Sequence, residues 1–157
     1  MAEIVFAEVP ISFDRVVKKI LRAYQIGRSS AGLIEAVDRL MKNLNVKTNK
    51  QNGIKFYWSP DQNPDTYVYY RVDAECDDKR AMNEISQQEM KNAVCITLQN
   101  SGAMDKDALV RETVRTMGYG RSGAAIVEAI ERGIKYGKRT GEIVVNEEKL
   151  LDLRIRQ

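Results

Sequence analysis

Cationic side chains cluster around two Gly-Arg-Ser turns, where their charge and spacing suit contact with phosphate groups. The turns are Gly27-Arg28-Ser29 and Gly120-Arg121-Ser122, and each precedes a segment with helical periodicity. An arginine near a helix N-terminus is well placed to bind a phosphate, because the free backbone amides there also attract anions. The candidate phosphate ligands are Arg28, Arg39, Lys42, Lys47, Lys50, Lys55, Arg121, Lys138 and Arg139.

The positive charge is concentrated in the first part of the chain. Residues 11–59 contain ten lysines and arginines against three acidic residues, whereas residues 60–103 contain four against eight. The formal charge of the whole chain is only +3. A local excess of this kind is typical of a nucleic-acid-binding surface, although an ordinary solvated face can also show it.

The side chains that most enzyme active sites require are missing from the sequence. There is no histidine, and Cys76 and Cys95 lack the spacing of a metal site. There is no phosphate-binding loop, no helicase Asp-Glu box and no nuclease carboxylate-lysine cluster. The adjacent carboxylates Asp77-Asp78 and Glu147-Glu148 diverge and do not form an acid-base pair. We therefore predict a noncatalytic protein with reduced thiols, no metal, no cofactor and no small-molecule substrate.

The composition allows a folded protein and shows no membrane or secretory segment. The chain has 157 residues, 43% of them hydrophobic, which suits one ordinary domain or two small ones. It has no run of about eighteen apolar residues, and its start lacks the pattern of a signal peptide. We expect no membrane contact and a cytoplasmic location.

An internal repeat favours two domains over one. Residues 11–42 and 104–135 align without gaps at a spacing of 93 positions (120 minus 27). Eleven of the 32 aligned positions are identical, where about two would be expected from average composition. Most other pairs are conservative, so the repeat also preserves an apolar helical stripe. The repeat predicts two copies of one small domain.

The first copy has the element order of a winged helix. The spacing predicts a helix over 13–24 that is capped by Ser12, and then a second helix that is capped by Ser29. Gly27, between the helices, is expected in a left-handed conformation. Asn52-Gly53 follows and is a strong signal for the turn of a β-hairpin.

The second copy repeats this order. Asp105 is expected to cap the first helix, Gly120 to end it in a left-handed conformation, and Ser122 to cap a helix to about Tyr136. A second hairpin is expected over 143–155, and Lys138 and Arg139 are assigned to this second wing.

The segments ahead of the two copies differ. Ser86 and Glu89 form a capping box that predicts a further helix before the second copy. The corresponding helix of the first copy looks short or cut away, so we expect the chain to be a fragment of a larger protein. The predicted fold class is α+β, mostly α, with two tandem winged-helix-like domains over 1–60 and 84–157. Residues 61–83 are the expected linker, with a short strand over 67–72 and an acidic loop over 73–83.

Several candidate residues have a structural alternative that the sequence leaves open. Arg28 and Arg121 could bind phosphate, or could bridge back to Asp14 and Asp107 and brace their turns. The lysines of the first hairpin could bind phosphate, or could protect an edge strand from pairing with another chain.

The outer side of the second helix is poorly suited to reading bases. Glu35 and Asp38 place negative charge there, where it would repel phosphates. Glu35 with Arg39, and Glu128 with Arg132, also have the spacing of helical ion pairs.

The aromatic strand Phe56-Tyr57-Trp58 could stack on bases. Alternation instead favours packing of Phe56 and Trp58 on the helices together with Ile54, while Tyr57 faces the other way. Further exposed rings are expected at Tyr67, Tyr69 and Tyr70.

Motifs spread over nearly the whole chain resemble those of a bacterial domain of unknown function. They are Glu8 to Ser12, Gly27-Arg28-Ser29, the strand ending at Trp58, Tyr70-Arg71, Glu84 to Ser86 with Glu89, and Met117 to Gly123. That domain occurs near the C-terminal end of very large superfamily 1 helicase-related proteins, often beside a restriction-endonuclease-like nuclease domain. The resemblance implies a noncatalytic accessory region of a DNA-processing machine, with helicase or nuclease domains of the same parent chain as partners.

Two functions therefore compete. The first is nonspecific binding of nucleic acid, mainly DNA, by the first copy. The second is a protein-interaction or scaffolding module that orients neighbouring domains without touching nucleic acid, which the acidic linker and the nearly neutral second copy favour. A free-standing transcriptional regulator would need a dimerisation helix and a more basic recognition helix than the sequence contains.

Overall fold

Six α-helices and two small antiparallel sheets form the part of the chain that the computed structural model describes, residues 1–72 and 78–155. The fold class is α+β with helices dominating, as the sequence predicted. The chain divides into two units, Met1–Pro64 and Asp65–Gln157. Among the described helices, none has the length and apolar character needed to cross a membrane.

The first unit contains three helices and a three-stranded sheet. Its elements are α1 (Ala2–Phe6), β1 (Ile11–Ser12), α2 (Phe13–Ala23), α3 (Ala31–Lys42), β2 (Lys47–Gln51) and β3 (Ile54–Trp58), with the strands in the order β1-β3-β2. The predicted cap of α2 is confirmed, because the Ser12 hydroxyl accepts a hydrogen bond from the Arg15 amide at 3.2 Å. The predicted hairpin turn is also confirmed, with φ of +50° at Asn52 and +78° at Gly53.

The described part of the second unit contains a 3-10 turn, three α-helices and a two-stranded sheet. A 3-10 turn (Met82–Glu84) leads into α4 (Gln87–Ser101), followed by α5 (Lys106–Thr116), α6 (Ala124–Thr140), β4 (Ile143–Val145) and β5 (Leu151–Leu153). Ser86 caps α4 and Asp105 caps α5, as predicted. Helix α6 continues past Tyr136 to Thr140 and ends at Gly141, which has a φ of +80°. The assignment of Lys138 and Arg139 to the second wing is therefore wrong, because both lie in the last turn of α6.

The two units repeat each other in structural detail at the spacing of 93 positions. Helices α2 and α5 end at equivalent residues, and α3 and α6 begin at equivalent residues. Ile11 pairs with Tyr57 in the first unit, and the equivalent Met104 forms an isolated bridge with Leu151 in the second. Each unit thus attaches the segment before its first repeated helix to its hairpin.

The left-handed residues that end α2 and α5 are Gln25 and Gly118, with φ of +54° and +77°. The prediction that Gly27 and Gly120 have this role is wrong, because each helix ends earlier than expected. The backbone then closes with the hydrogen bond typical of a left-handed helix end, from Ile26 N to Leu21 O in the first unit at 2.8 Å. The caps of the following helices also lie one residue later than predicted, at Ser30 and Gly123.

Strand β3 is buried on both faces, and its helix-facing residue is Tyr57. Tyr57 belongs to the core of the first unit, and its ring centroid lies 6.5 Å from that of Phe13 on α2. Phe56 and Trp58 are equally buried but face away from that core. The prediction that Phe56 and Trp58 pack on the helices is therefore wrong.

Residues 67–72 do not form the strand that their alternation predicts. This segment follows α4 instead, where the Asn92 side-chain amide donates hydrogen bonds of 2.9 Å to the carbonyl oxygens of Tyr67 and Tyr69. The side chain of Arg71 binds Glu89 of the same helix. Side chains of α4 thus satisfy backbone groups that a neighbouring strand would otherwise have to pair. The expected acidic loop falls partly on 73–77, which lie outside the described residues.

A carboxylate near the first helix makes the stability of the first unit sensitive to acid. Burial raises the pKa of Glu8, but hydrogen bonds and positive charge from Lys19 and Arg15 outweigh burial and hold the pKa below 4.5. A lowered folded-state pKa gives stability that is present above the unfolded pKa and is lost as the pH falls through the folded one.

We expect the native chain to unfold at lower urea as the pH falls below about 4.5, and Glu8→Gln to show a smaller change over the same range. The fluorescence of Trp58, the single tryptophan, reports this transition in the first unit. Equal acid sensitivity in the two proteins would contradict the assignment to Glu8.

Candidate nucleic-acid interface

Arg28 lies exposed in the turn between α2 and α3. Within the described ranges it forms no ion pair with Asp14, and Arg121 forms none with Asp107. The alternative that these arginines brace their turns is therefore wrong, since all four side chains extend into solvent. Both guanidinium groups remain available to an anion.

Helix α3 begins beside Arg28. Its cap is Ser30, whose hydroxyl accepts a hydrogen bond of 3.2 Å from the Leu33 amide. The remaining amides of the first turn point toward the side from which the Arg28 turn enters, as at any helix N-terminus. A phosphate at this turn would meet the guanidinium and the positive end of the helix dipole together.

Asp38 on α3 is paired with two of the candidate lysines. Its carboxylate lies 2.8 Å from Lys42 Nζ and 3.5 Å from Lys55 Nζ. The hydrogen bond from Lys42 is the main cause that holds the pKa of Asp38 below its usual value of 3.8. Asp38 therefore does not present a free negative charge, and the group of three retains one positive charge. The i, i+4 spacing of Asp38 and Lys42 could have revealed this pair in the sequence.

Arg39 extends from the outer side of α3. It is exposed, as is Glu35 one turn earlier, and the two form no ion pair in the described part of the chain. Glu128 and Arg132 likewise remain apart. The predicted helical pairs are wrong, which agrees with the small gain that exposed pairs of this kind provide.

The lysines of the first hairpin lie on two different faces. Residues paired across an antiparallel ladder share a face, and Lys50 pairs with Lys55, whereas Lys47 pairs with Trp58. Lys47 Nζ donates a hydrogen bond of 2.9 Å to the Gln62 carbonyl oxygen. Lys50 is exposed and has no partner in the ranges described. The three lysines therefore do not form one cluster, and Lys50 is the most accessible of them.

The aromatic residues of β3 are not available to stack on bases. Phe56 and Tyr57 are 2% exposed and Trp58 is 0% exposed, with the indole nitrogen donating to Asn49 Oδ1 at 3.0 Å. Burial and the nearby Asp38 charge raise the pKa of Tyr57 to about 12. Among the described residues the exposed rings are Phe6, Tyr24 and Tyr69. The prediction of exposed rings is confirmed for Tyr69 and is wrong for Tyr67 and Tyr70, which are partly buried.

The second unit offers fewer accessible cations in the predicted positions. Lys138 and Arg139 are exposed at the end of α6, where the Arg139 guanidinium lies 5.1 Å from the Tyr136 ring centroid. Arg121 occupies the turn before α6. Arg121 is therefore separated from Lys138 and Arg139 by the length of that helix.

A cleft of about 710 Å³ in the second unit is lined by residues of α4, by the end of α6 and by Leu153 of β5. Cys95 lies in its wall, and burial together with the charge of Glu142 raises the pKa of this thiol to about 11. Glu142 is itself bound by the buried Lys91, whose Nζ lies 2.9 Å away. A protonated thiol is a weak nucleophile. In the portion of the chain that the structure covers, no group of side chains suits a metal ion.

Comparison of the chain with family models, with curated proteins and with solved structures gives no match.

Proposed function

We propose that the chain is a noncatalytic nucleic-acid-binding module whose first unit binds the phosphate backbone of DNA without reading its sequence. The observation that carries this proposal is the excess of ten lysines and arginines over three acidic residues in residues 11–59, among which Arg28, Arg39 and Lys50 are exposed and have no ion pair in the described residues. They come from three successive elements, the turn before α3, α3 itself and the hairpin. A cation with no internal partner can neutralise a phosphate and thereby release counterions that are condensed on the nucleic acid.

The element order supports the same proposal. Each unit places two helices around a tight turn, follows them with a hairpin, and attaches the preceding segment to that hairpin through Ile11 or Met104. We regard both as winged-helix-like units, in which a second helix and a wing commonly face DNA. The parent protein that the sequence motifs suggest, a helicase-related DNA-processing machine, fits this role.

The proposal is restricted to nonspecific binding because α3 lacks a polar reading surface. Its exposed side chains include Glu35, which carries an unpaired negative charge, and the apolar Ile34 and Leu40. Sequence readout in the major groove uses arginine, asparagine or glutamine pairs to base edges. Backbone contacts alone give similar affinity for all sequences.

We expect Arg28→Ala, Arg39→Ala and Lys50→Ala together to weaken duplex binding and to lower the slope of log affinity against log salt by about 2 to 3, at about 0.7 to 0.9 for each lost contact. Fluorescence anisotropy with duplex and single-stranded oligonucleotides at several salt concentrations measures both quantities. The matched control removes three exposed cations of the second unit that are not candidate ligands, Arg111, Lys135 and Lys149, and should keep the native slope. Equal losses in both variants, or no binding by the native chain at low salt, would refute the proposal.

The scaffolding alternative retains one specific observation. Tyr24 is 65% exposed and Leu40 is 50% exposed, although their equivalents at the spacing of 93 positions, Met117 and Gly133, are buried in the second unit. Exposed apolar side chains on a basic surface favour a protein contact at that position.

A further inference from the structure

Helix α1 of the first unit corresponds to the last part of α4 in the second. Val5 precedes the cap residue Ser12 by seven positions, and Leu98 precedes the cap residue Asp105 by the same seven. Val5 and Leu98 are both buried in their cores, at 0% and 2% exposure. The equivalent of the first α1 residue is Cys95, and α4 begins at Gln87, eight positions before it (95 minus 87).

Those additional two turns of α4 cover one flank of α6. A Cβ atom on Gly133 would lie 2.8 Å from the Met90 carbonyl carbon, so the two helices touch through their backbones. Tyr136 lies beside the same turns, with its ring centroid 5.9 Å from Lys91 Nζ, and it shares a hydrogen bond with Gln88. Gly133 and Tyr136 are buried as a result.

The equivalent flank of α3 is open. We use the name open face for the surface formed by Tyr24, Ala36, Leu40 and Asn43. These residues are equivalent to Met117, Ala129, Gly133 and Tyr136 of the second unit. All four residues of the second unit are buried, whereas Tyr24, Leu40 and Asn43 are exposed. Helix α1 has only five residues and packs mainly on α2, so it leaves this face exposed.

We propose that the open face binds one α-helix of a partner protein, on the flank of α3 that corresponds to the flank of α6 covered by α4. The repeat indicates the kind of partner, because the equivalent flank in the second unit is covered by an α-helix, α4. This surface adjoins the proposed phosphate-binding surface at Arg39, but the inference does not rest on that function.

The residues of the open face define the chemistry of the partner helix. Leu40 has a side chain where Gly133 has none, so the partner helix must lie farther from α3 than α4 lies from α6, and a glycine or alanine opposite Leu40 leaves room for the leucine. The tyrosine ring and the leucine require an apolar stripe on either side of that small residue. Arg39 borders the face, and residues 11–59 contain ten lysines and arginines against three acidic residues, so acidic residues are expected along one edge of the stripe.

The test uses the full native chain, isotope-labelled, and a synthetic 18-residue amphipathic helical peptide. The peptide carries leucines at helical spacing, one central alanine and glutamates along one border. We expect its addition to shift the amide resonances of Tyr24, Ala36, Leu40 and Asn43 more than those of the remaining residues. A peptide with tryptophan in place of the central alanine should bind at least about tenfold more weakly, because the bulky ring meets Leu40.

Two variants of α3 provide a matched comparison. Leu40→Ser should weaken peptide binding about tenfold. Ile34→Ser, which removes an aliphatic side chain that is 40% exposed, against 50% for Leu40, on the opposite flank, should change it by less than about twofold. Circular dichroism spectra of both variants are recorded to check that they remain folded.

Four outcomes would overturn the proposal. They are shifts spread away from the open face, equal weakening by the two variants, tight binding of the tryptophan peptide, and competition between peptide and duplex accompanied by loss of duplex affinity in Leu40→Ser. Sedimentation distinguishes a further occupant: self-association of the native chain that Leu40→Ser abolishes would replace the partner helix by a second copy.

Discussion

Replacing Arg80 by methionine should lower the free energy of unfolding of the second unit by about 3 kcal/mol. Glu89 on α4 has no exposed side-chain surface, and its carboxylate accepts a 2.7 Å hydrogen bond from Arg80 Nη1 and two of 2.9 Å from Arg71. Without Arg80, the buried carboxylate of Glu89 keeps only one of these two positively charged partners. We place the effect at the lower end of the range for buried pairs because Arg71 still binds Glu89.

Urea unfolding and amide hydrogen exchange of α4 measure this loss in the full chain. Arg111→Met is the control, since Arg111 is exposed on α5 and has no ion pair among the described residues. The double variant Arg80→Met with Glu89→Met should recover part of the lost stability, because the cost arises from the uncompensated charge. A single variant within about 0.5 kcal/mol of the native chain would show that the Arg80 contact is dispensable.

Gly133→Ala should destabilise the second unit by about 1 to 3 kcal/mol. The new Cβ would lie 2.8 Å from the Met90 carbonyl carbon and 2.9 Å from the Lys91 nitrogen, both backbone atoms that cannot rotate away. Helices α4 and α6 must therefore separate. Loss of this contact should accelerate amide exchange in α4 more than in α5.

Gly32→Ala provides the opposite expectation from the same chemical change. A Cβ there would have no neighbour within 4 Å, so alanine should stabilise α3 by about 0.5 to 1 kcal/mol through its higher helix propensity. Equal effects of the two substitutions on urea midpoints would mean that glycine matters at Gly133 for helix propensity alone and not for close packing.

The elements that the sequence predicted well are those fixed by neighbouring residues. Ser12, Ser86 and Asp105 cap helices through a contact three residues away, and Asn52-Gly53 forms a turn within its own hairpin. A local pattern carries enough information for such features. Helix ends were placed less well, because Gln25, which lacks the usual glycine signal, takes the left-handed conformation in the first unit.

Features that depend on distant partners could not be predicted. Phe56, Tyr57 and Trp58 are all apolar, so alternation along β3 did not show which face meets the helices. The segment that contains Arg71 alternates as a strand does, but its position is set by the hydrogen bond from Arg71 to Glu89, which lies eighteen positions later in the sequence. In the candidate site, the exposure of Arg28, Arg39 and Lys50 agreed with expectation, whereas contacts between elements decided which lysines are paired.

Leu40 and Gly133 are equivalent residues of the two units. The difference between them also affects how a chain with two similar units folds without mispairing its helices. Two similar units on one chain risk a swap during folding, in which the covering helix of one unit settles on the other. Leu40 excludes α4 from the first unit at the depth that α4 reaches over Gly133, since side chain and backbone would occupy the same space. The two copies thus differ at a position where a second glycine would let α4 pack on either unit.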